Sequence, residues 1–416
     1  MPDFYQHKHI CTLHHLSDTN LEEREAEMEA FAKKRPITLI MPALFSEVEQ
    51  PALPRILEKL SGVNYISEIV ISMNRMDADQ FKYASNFFAS QLPESQRWRI
   101  LWNDGPRVRE LYDQLGQNGL TNYVPGKGYN VWMAFGYMLA RGESRVVAAH
   151  DSDILSYTRE MLLRLCLPTV HPLLNYDFAK SYYGRVSDRL YGRVTRLFVA
   201  PLLRSLMSVV DGHAFLDYLE SFRYPLSGEF SSTVEMARAM RIPGDWGLEV
   251  GMLYEVFKNT TNRRICQVDL GNNFEHKHQH LGMEPPSQAP APGPEAPQRG
   301  LMKMARDISL TIFSNLSAEG EILSPAALKA IRMTYGRMAR EYIRRYHDDA
   351  VVNGLNAFRH EEAAAVDAYE IALSSAVNEF TTRDYVSPQI PNWNRIFSAL
   401  PELGDQLISA VEEDNS

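Results

Sequence analysis

At 416 residues the chain exceeds what a single hydrophobic core usually organises, so a catalytic domain with an appended unit is the expectation. Hydrophobic residues make up 45% and charged residues 23%, and no run approaches the ~18 apolar residues of a membrane helix, which argues against a membrane-spanning protein. The formal charge of −9 argues against broad nucleic-acid binding, which needs a basic surface, yet local Arg or Lys clusters can still hold a small anion.

The opening residues, MPDFYQHKHICTLHHL, lack the apolar stretch and small-residue cleavage site of an export signal, so a cytoplasmic location is expected. Cys11, Cys166 and Cys266 are too few and too scattered for a disulfide framework or a thiolate metal site. Residues 1–36 read as an arm and a helix, with Leu21, Met28 and Phe31 at helical spacing and Arg35-Pro36 as the stop.

Short apolar runs then recur at ITLIM (37–41), EIVIS (68–72), WRILW (98–102) and RVVAA (145–149), separated by segments long enough for helices. This rhythm predicts an α/β domain with a largely parallel sheet. Ligands gather beyond the carboxyl ends of such strands, which directs attention to Pro42 through Glu47, Met73-Asn74-Arg75, Asn103-Asp104-Gly105 and His150 through Asp153. Residues 283–300 are proline-rich and predict an extended loop. Beyond it, residues 301–416 read as helical: Leu328, Ile331, Tyr335, Met338 and Tyr342 share one face behind an N-cap at Ser324, and Val366, Tyr369, Leu373, Val377 and Phe380 share another.

The strongest chemical signal is Asp151-Ser152-Asp153 directly after RVVAA. Two carboxylates one residue apart at a strand end can share Mg²⁺ or Mn²⁺ with the phosphates of a nucleotide substrate. Read alone, the tripeptide is more often an ordinary turn, and its place at a strand end is what favours the metal. Lys127 in Pro125-Gly126-Lys127-Gly128 could approach a phosphate, though Gly-Lys-Gly is also a common surface turn and lacks Walker A spacing.

Gly192-Arg193-Val194-Thr195 offers a guanidinium fork and a hydroxyl to an anion, or else a solvated helix face. Glu249, in the apolar setting Gly-Leu-Glu-Val-Gly, needs a partner such as a sugar hydroxyl or a buried arginine. Among the alternating histidines of Glu275 through His280, one or two could complete a metal site, and a polar surface loop is the plainer alternative.

Taken in order, Pro42-Ala43-Leu44, Gly126-Lys127-Gly128, Asp151-Ser152-Asp153, Gly192-Arg193-Val194-Thr195, Pro225-Leu226-Ser227-Gly228-Glu229 and Gly247-Leu248-Glu249-Val250-Gly251 resemble the glucosyl-3-phosphoglycerate synthases. The closely similar mannosyl-3-phosphoglycerate synthases share much of the pattern, and a GDP-mannose donor is the alternative. The resemblance spans residues 37 to about 282 and implies a GT-A fold, Rossmann-like, with the helical C-terminal region as an extension. It also implies a retaining transfer of glucose from a nucleotide-sugar donor to a small phosphorylated acceptor, 3-phosphoglycerate, usually by a homodimer.

Carried over residue by residue, the resemblance implies donor contacts at Pro42, Ala43, Leu44, Ser72, Lys127, Asp151 and Ser152. It implies a sugar pocket at Leu226, Ser227, Gly228 and Glu249, and an acceptor site at Gly192, Arg193, Val194 and Thr195. Asp151 and Asp153 match the metal motif, with the metal histidine falling on His276 or His278; Asp153, Glu249 and Lys127 are the expected catalytic groups. One departure stands out. Where the family continues its Pro-Ala-Leu tract with an Asn or Asp and two acids, Phe45 and Ser46 intervene here and Glu47 alone remains for the donor.

Two rivals are weaker. A sugar nucleotidyltransferase would want a glycine-rich loop after the first strand, where PALFSEVE stands. A catalytically silent binding protein would have little need of both aspartates and Arg193.

Overall fold

The computed structural model describes residues 6, 8–17, 20–271, 299–382 and 389–416. One sheet contains β1 (Cys11–Leu13), β2 (Ile37–Leu44), β3 (Ile66–Asn74), β4 (Trp98–Trp102), β5 (Val146–Ala149), β6 (Phe178–Tyr182) and β7 (Phe230–Thr233). A short strand β8 (Ile242–Pro243) lies apart, and β9 (Ile265–Asp269) rejoins the sheet, whose order is β1-β9-β6-β7-β5-β2-β3-β4. Strand β7 runs antiparallel to β5 and β6, and every other pairing is parallel. This is the mixed, mostly parallel sheet expected from the apolar runs.

Successive residues of the central strands face two separate cores. In β2, Ile37, Leu39, Met41 and Ala43 enter one, and Ile40 enters the other; in β3, Ile69, Ile71 and Met73 oppose Val70 in the same way. Burial on both faces is why these strands read as continuous apolar runs instead of alternating ones. Helices Leu21–Ala32, Ala52–Leu60, Ala78–Gln91 and Arg159–Val170 cover the first face. Helices Pro106–Gln117, Lys127–Arg141 and Leu248–Asn259 cover the second.

Strand β2 runs past ITLIM, so Pro42-Ala43-Leu44 is strand and not the loop after it. Strand β5 pairs with it only as far as Ile40↔Ala149, whereas β3 continues to Leu44↔Asn74. The carbonyls of Ile40 and Pro42 accept from His150 N at 3.2 Å and Ser152 Oγ at 3.1 Å. Pro42 therefore lacks its N–H on the side that β5 has already left, where a proline breaks no ladder bond. The departure of β5 opens a cleft beside Pro42.

The chain beyond Arg299 forms helices Gly300–Ala318, Pro325–Val352, Arg359–Thr382, Trp393–Ala399 and Leu403–Asp414. Ser324 Oγ accepts from Ala327 N at 3.2 Å, the expected cap. Leu328, Ile331, Tyr335, Val366, Tyr369 and Leu373 are buried in the same core as the helix Lys127–Arg141. The tail then returns to the sheet. Strand β10 (Gln389–Ile390) pairs with β8, Trp393 Nε1 donates to Trp132 O at 2.8 Å, and Asn415 exchanges hydrogen bonds of 2.9 and 2.8 Å with the Ile100 backbone. The proline-rich stretch lies outside the described residues. Among the described residues no helix is long and apolar enough to cross a membrane.

Candidate active site at the carboxyl ends of the strands

Strand β5 ends at Ala149, so Asp151, Ser152 and Asp153 emerge at its carboxyl end. The helix Lys127–Arg141 starts at the same edge with Lys127 as its first residue. Gly128 permits that start, because a Cβ there would collide with the Pro243 carbonyl. The helix Leu248–Asn259 carries Glu249 in its first turn, and the turn before it is held by Asp245 Oδ1, which accepts from Gly247 N at 2.8 Å.

These three elements meet at one ammonium. Lys127 Nζ lies 2.6 Å from Asp151 Oδ1 and 3.2 Å from Glu249 Oε1. Burial alone would lower the Lys127 pKa, but Asp151 and Glu249 outweigh it and hold the group above its ordinary value.

More acid surrounds this pair. Glu229, 2% exposed, accepts from Tyr183 Oη at 3.0 Å and Ser181 Oγ at 3.3 Å. Burial and the Asp151 charge push its carboxyl up to about 7. Asp153 is also pushed up to about 7, first by burial and then by Asp151 and Glu47. Glu47 is buried in the first turn of the helix Phe45–Val48, directly after β2. Negative charge confined in this way favours a bound cation.

A second lysine lies beneath. Lys180, in β6, is 1% exposed and donates to Ser227 O at 2.5 Å. Burial pushes its ammonium down to about 8, against the pull of Glu249 and Glu229. Pro42, Lys127, Lys180, Gly228 and Glu249 line a cavity of ≈ 260 Å³ whose apolar wall includes Phe230 and Met252. Gly228 is confined by its neighbour, since a Cβ there would strike the Asp151 carboxylate.

No family model matches the chain. Among curated proteins, it is 42% identical over 416 residues to a glucosyl-3-phosphoglycerate synthase of Persephonella marina, covering 100% of both chains. The chain belongs to the glucosyl-3-phosphoglycerate synthase family. A second member, from Methanococcoides burtonii, is 37% identical over 420 residues, covering 99% of this chain and 98% of its own. The solved glucosyl-3-phosphoglycerate synthase of Mycobacterium tuberculosis, in complex with Mg²⁺ and UDP, shares the fold with a TM-score of 0.53 at 21% identity, covering 74% of this chain and 87% of that one. The α/β architecture with a GT-A sheet and C-terminal helices is thus that of its family.

Set against the synthase pattern, Pro42, Lys127, Gly228 and Glu249 meet at the cavity, with Asp151 joined to Lys127 and Asp153 among the acids around it. Ala43 and Leu44 continue β2 beyond Pro42, and Leu226 is buried. Three serines point elsewhere. Ser72, 0% exposed, donates to Asn130 O at 2.8 Å and accepts from Asn103 Nδ2 at 3.0 Å, so it braces the helix Lys127–Arg141. Ser152 is tied to Pro42 O, and Ser227 Oγ donates to Ser181 O at 2.8 Å, leaving the Ser227 carbonyl to Lys180.

The Gly192-Arg193-Val194-Thr195 tract reaches the same region through a line of rings. Gly192 has a φ of 73°, which glycine adopts readily, and a Cβ on it would sit 3.7 Å from the Tyr224 ring. Tyr224 packs on Tyr183 with centroids 4.8 Å apart, and Tyr183 is the donor to Glu229. Val194 is buried, and Thr195 opens a π-helical turn, Thr195–Val199, with its buried hydroxyl lacking a hydrogen-bond partner among the described residues. Such turns recur at functional sites. Arg196 pairs with Glu362 at 2.8 Å, whereas Arg193 forms no ion pair among the described residues.

His276 and His278 lie outside the described residues. Among those described, no three His, Cys, Asp or Glu side chains converge to enclose a metal. Asp151 and Asp153 nonetheless fit a hard divalent cation that takes its remaining ligands from substrate phosphates and water. Lys180 and Tyr183 are candidate site residues outside every motif, and Glu229 stands in one without an expected role. The one available signal was a lysine inside the otherwise uncharged strand Phe-Ala-Lys-Ser-Tyr.

Proposed function

We propose that this protein transfers glucose, with retention, from an NDP-glucose to 3-phosphoglycerate, yielding glucosyl-3-phosphoglycerate. The observation that carries the reading is the meeting of Asp151 and Glu249 on the Lys127 ammonium, at 2.6 and 3.2 Å, beside a cavity at the strand ends. Support comes from end-to-end identity of 42% with a protein of that name. The tuberculosis enzyme, moreover, has been seen with Mn²⁺, UDP-glucose and phosphoglyceric acid together.

In this reading the donor lies along Pro42, Ala43, Leu44 and Glu47, with its diphosphate beside Lys127. A Mg²⁺ or Mn²⁺ ion held by Asp151 and Asp153 would supply positive charge against the departing diphosphate. Lys127 adds its own charge at the same place. Glu249 accepts hydrogen bonds from sugar hydroxyls, and Lys180 fixes the Ser227-Gly228 backbone that floors the sugar. Arg193 and Thr195 hold the acceptor's anionic groups. Glu249 is tied to Lys127, and Glu229 to Tyr183 and Ser181. Neither is poised to form a glycosyl-enzyme, which favours attack by the acceptor hydroxyl on the face the diphosphate leaves.

A panel crossing UDP-, GDP- and ADP-glucose and GDP-mannose with 3-phosphoglycerate, glycerate and phosphoenolpyruvate, with Mg²⁺ added, tests this. Turnover of a glucose donor with 3-phosphoglycerate, lost in Asp151→Ala, is expected. Turnover confined to GDP-mannose or to another acceptor would overturn it.

A further inference from the structure

A second cavity lies apart from the one at Lys127. It measures ≈ 500 Å³ and lies between the segment that carries Arg193 and the C-terminal helices, with His347, Asn356 and Arg359 on its far wall. Segment and helices are locked together around it. Asn356 N donates to Asp188 O at 2.9 Å, Arg189 pairs with Glu361 at 3.1 Å, and Arg196 pairs with Glu362 at 2.8 Å. The Arg189 guanidinium also stands 4.5 Å over the Phe358 ring, and that of Arg196 stands 4.6 Å over Tyr346.

The charges in this cleft do not balance. Both of its glutamates are committed, Glu361 to Arg189 and Glu362 to Arg196. Arg193 is left without an ion pair among the described residues. Arg359, at the rim, has only Asp348 at 4.0 Å and donates to His347 Nδ1 at 2.9 Å. A guanidinium can only donate, so His347 Nδ1 accepts in this contact and helps aim the guanidinium. Two guanidinium groups on opposite walls of a cleft match a small dianion, each offering a planar fork to phosphate or carboxylate oxygens.

We propose that the helical C-terminal region completes the acceptor's anion site, Arg359 gripping the acceptor phosphate from the wall opposite Arg193. This rests on the reading of Arg193 as an acceptor residue. It gives the C-terminal helices a direct part in selecting a phosphorylated acceptor over its unphosphorylated counterpart. Phosphate bound between the two arginines also fastens that segment to the helices.

The test compares Arg359→Gln, Arg359→Lys and Arg193→Gln in the full chain, by initial rates over acceptor and donor concentration. Loss of one charge-assisted contact predicts a rise of about tenfold or more in KM for 3-phosphoglycerate in Arg359→Gln. KM for the glucose donor should stay within about twofold, and Arg359→Lys should recover part of the loss. Inorganic phosphate should compete with 3-phosphoglycerate, and about tenfold less well in Arg359→Gln than in the parent. Melting curves identify a variant that has lost its fold, and Arg359→Lys, which keeps the charge but not the planar fork, then carries the comparison. An unchanged acceptor KM in folded Arg359→Gln, with a raised one in Arg193→Gln, overturns this inference and leaves the acceptor reading standing. Unchanged values in both variants overturn both. A fall in kcat with no change in acceptor KM or phosphate competition also overturns it, because it would place Arg359 outside the anion's reach.

Discussion

Lys127 Nζ lies 2.6 Å from Asp151 Oδ1, and this contact joins the first turn of one helix to the end of a strand 24 positions away in the chain. Glu249 shares the same ammonium at 3.2 Å. Lys127→Met leaves two acids facing each other with one compensating charge fewer. We expect kcat to fall by about 10²–10³-fold, the range for loss of one preorganised electrostatic group. Thermal unfolding should come at a lower temperature as well, since an acid stripped of its partner is destabilising. A variant with kcat within tenfold of the parent would remove Lys127 from the leaving-group site.

Removal of divalent cations follows from the same cluster. Two aspartates and no enclosing third ligand among the described residues make a site that needs substrate oxygens to be complete. EDTA should therefore abolish turnover, with recovery on adding Mg²⁺ or Mn²⁺. In melting curves the cation alone should shift the transition little, and the cation with UDP markedly more, because the pair binds the native state jointly. Full activity in EDTA would sink the metal assignment.

Gly228 faces the Asp151 carboxylate so closely that all three of the nearest atoms to an added Cβ belong to it. Gly228→Ala must displace that carboxylate from both Lys127 and the cation. A drop of at least about 30-fold in kcat/KM is expected, with the melting temperature nearly unchanged, since a misplaced catalytic group can cost about two orders of magnitude. Unaltered kinetics would show that Asp151 has room to spare.

Much of this was legible in the sequence because the chemistry sits at ends of apolar runs. Strands β2 to β5 announced themselves as doubly buried segments, and the acids that follow β5 were found from that alone. Strand β7 was not, since Phe-Ser-Ser-Thr looks polar; it is buried because its hydroxyls find carbonyls, Ser231 bonding to Leu165 O at 2.7 Å. Lys180 was hidden for a related reason. A lysine in a short strand reads as its solvent side, and only the strand order, which sets β6 between β9 and β7, shows that both edges are occupied. Ser72 stands near a strand end, yet its hydroxyl turns under the helix Lys127–Arg141, a packing that the sequence pattern does not show.

Lys180 gives a prediction of its own. Its ammonium holds the Ser227 carbonyl at 2.5 Å and helps offset Glu249 and Glu229. Lys180→Met keeps the volume and removes both effects. The sugar floor should loosen, with kcat reduced by at least about tenfold, as expected when a buried hydrogen bond from a charged donor is lost. Discrimination between glucose and mannose donors should narrow. Selectivity and kcat equal to the parent's would make Lys180 a bystander.

Asp245 is a residue outside the acid cluster through which pH should act on stability. Burial, then the charge of nearby Asp307, pushes its carboxyl up to about 6 while it accepts from Gly247 N ahead of the Glu249 helix. A carboxyl whose folded value exceeds its unfolded value contributes stability below the unfolded value near 4 and loses it as pH rises through about 6. Above that, the folded protein carries a poorly solvated charge. Asp245→Asn keeps an acceptor for Gly247 N and removes the charge. The side chain is half-buried, so solvent screening reduces the effect to about 1 kcal/mol. Unfolding at pH 8 should therefore require more denaturant for the variant than for the parent, the difference shrinking at pH 5 and vanishing near pH 4. A gain that is the same at all three pH values would mean that the substitution acts through packing and not through the charge.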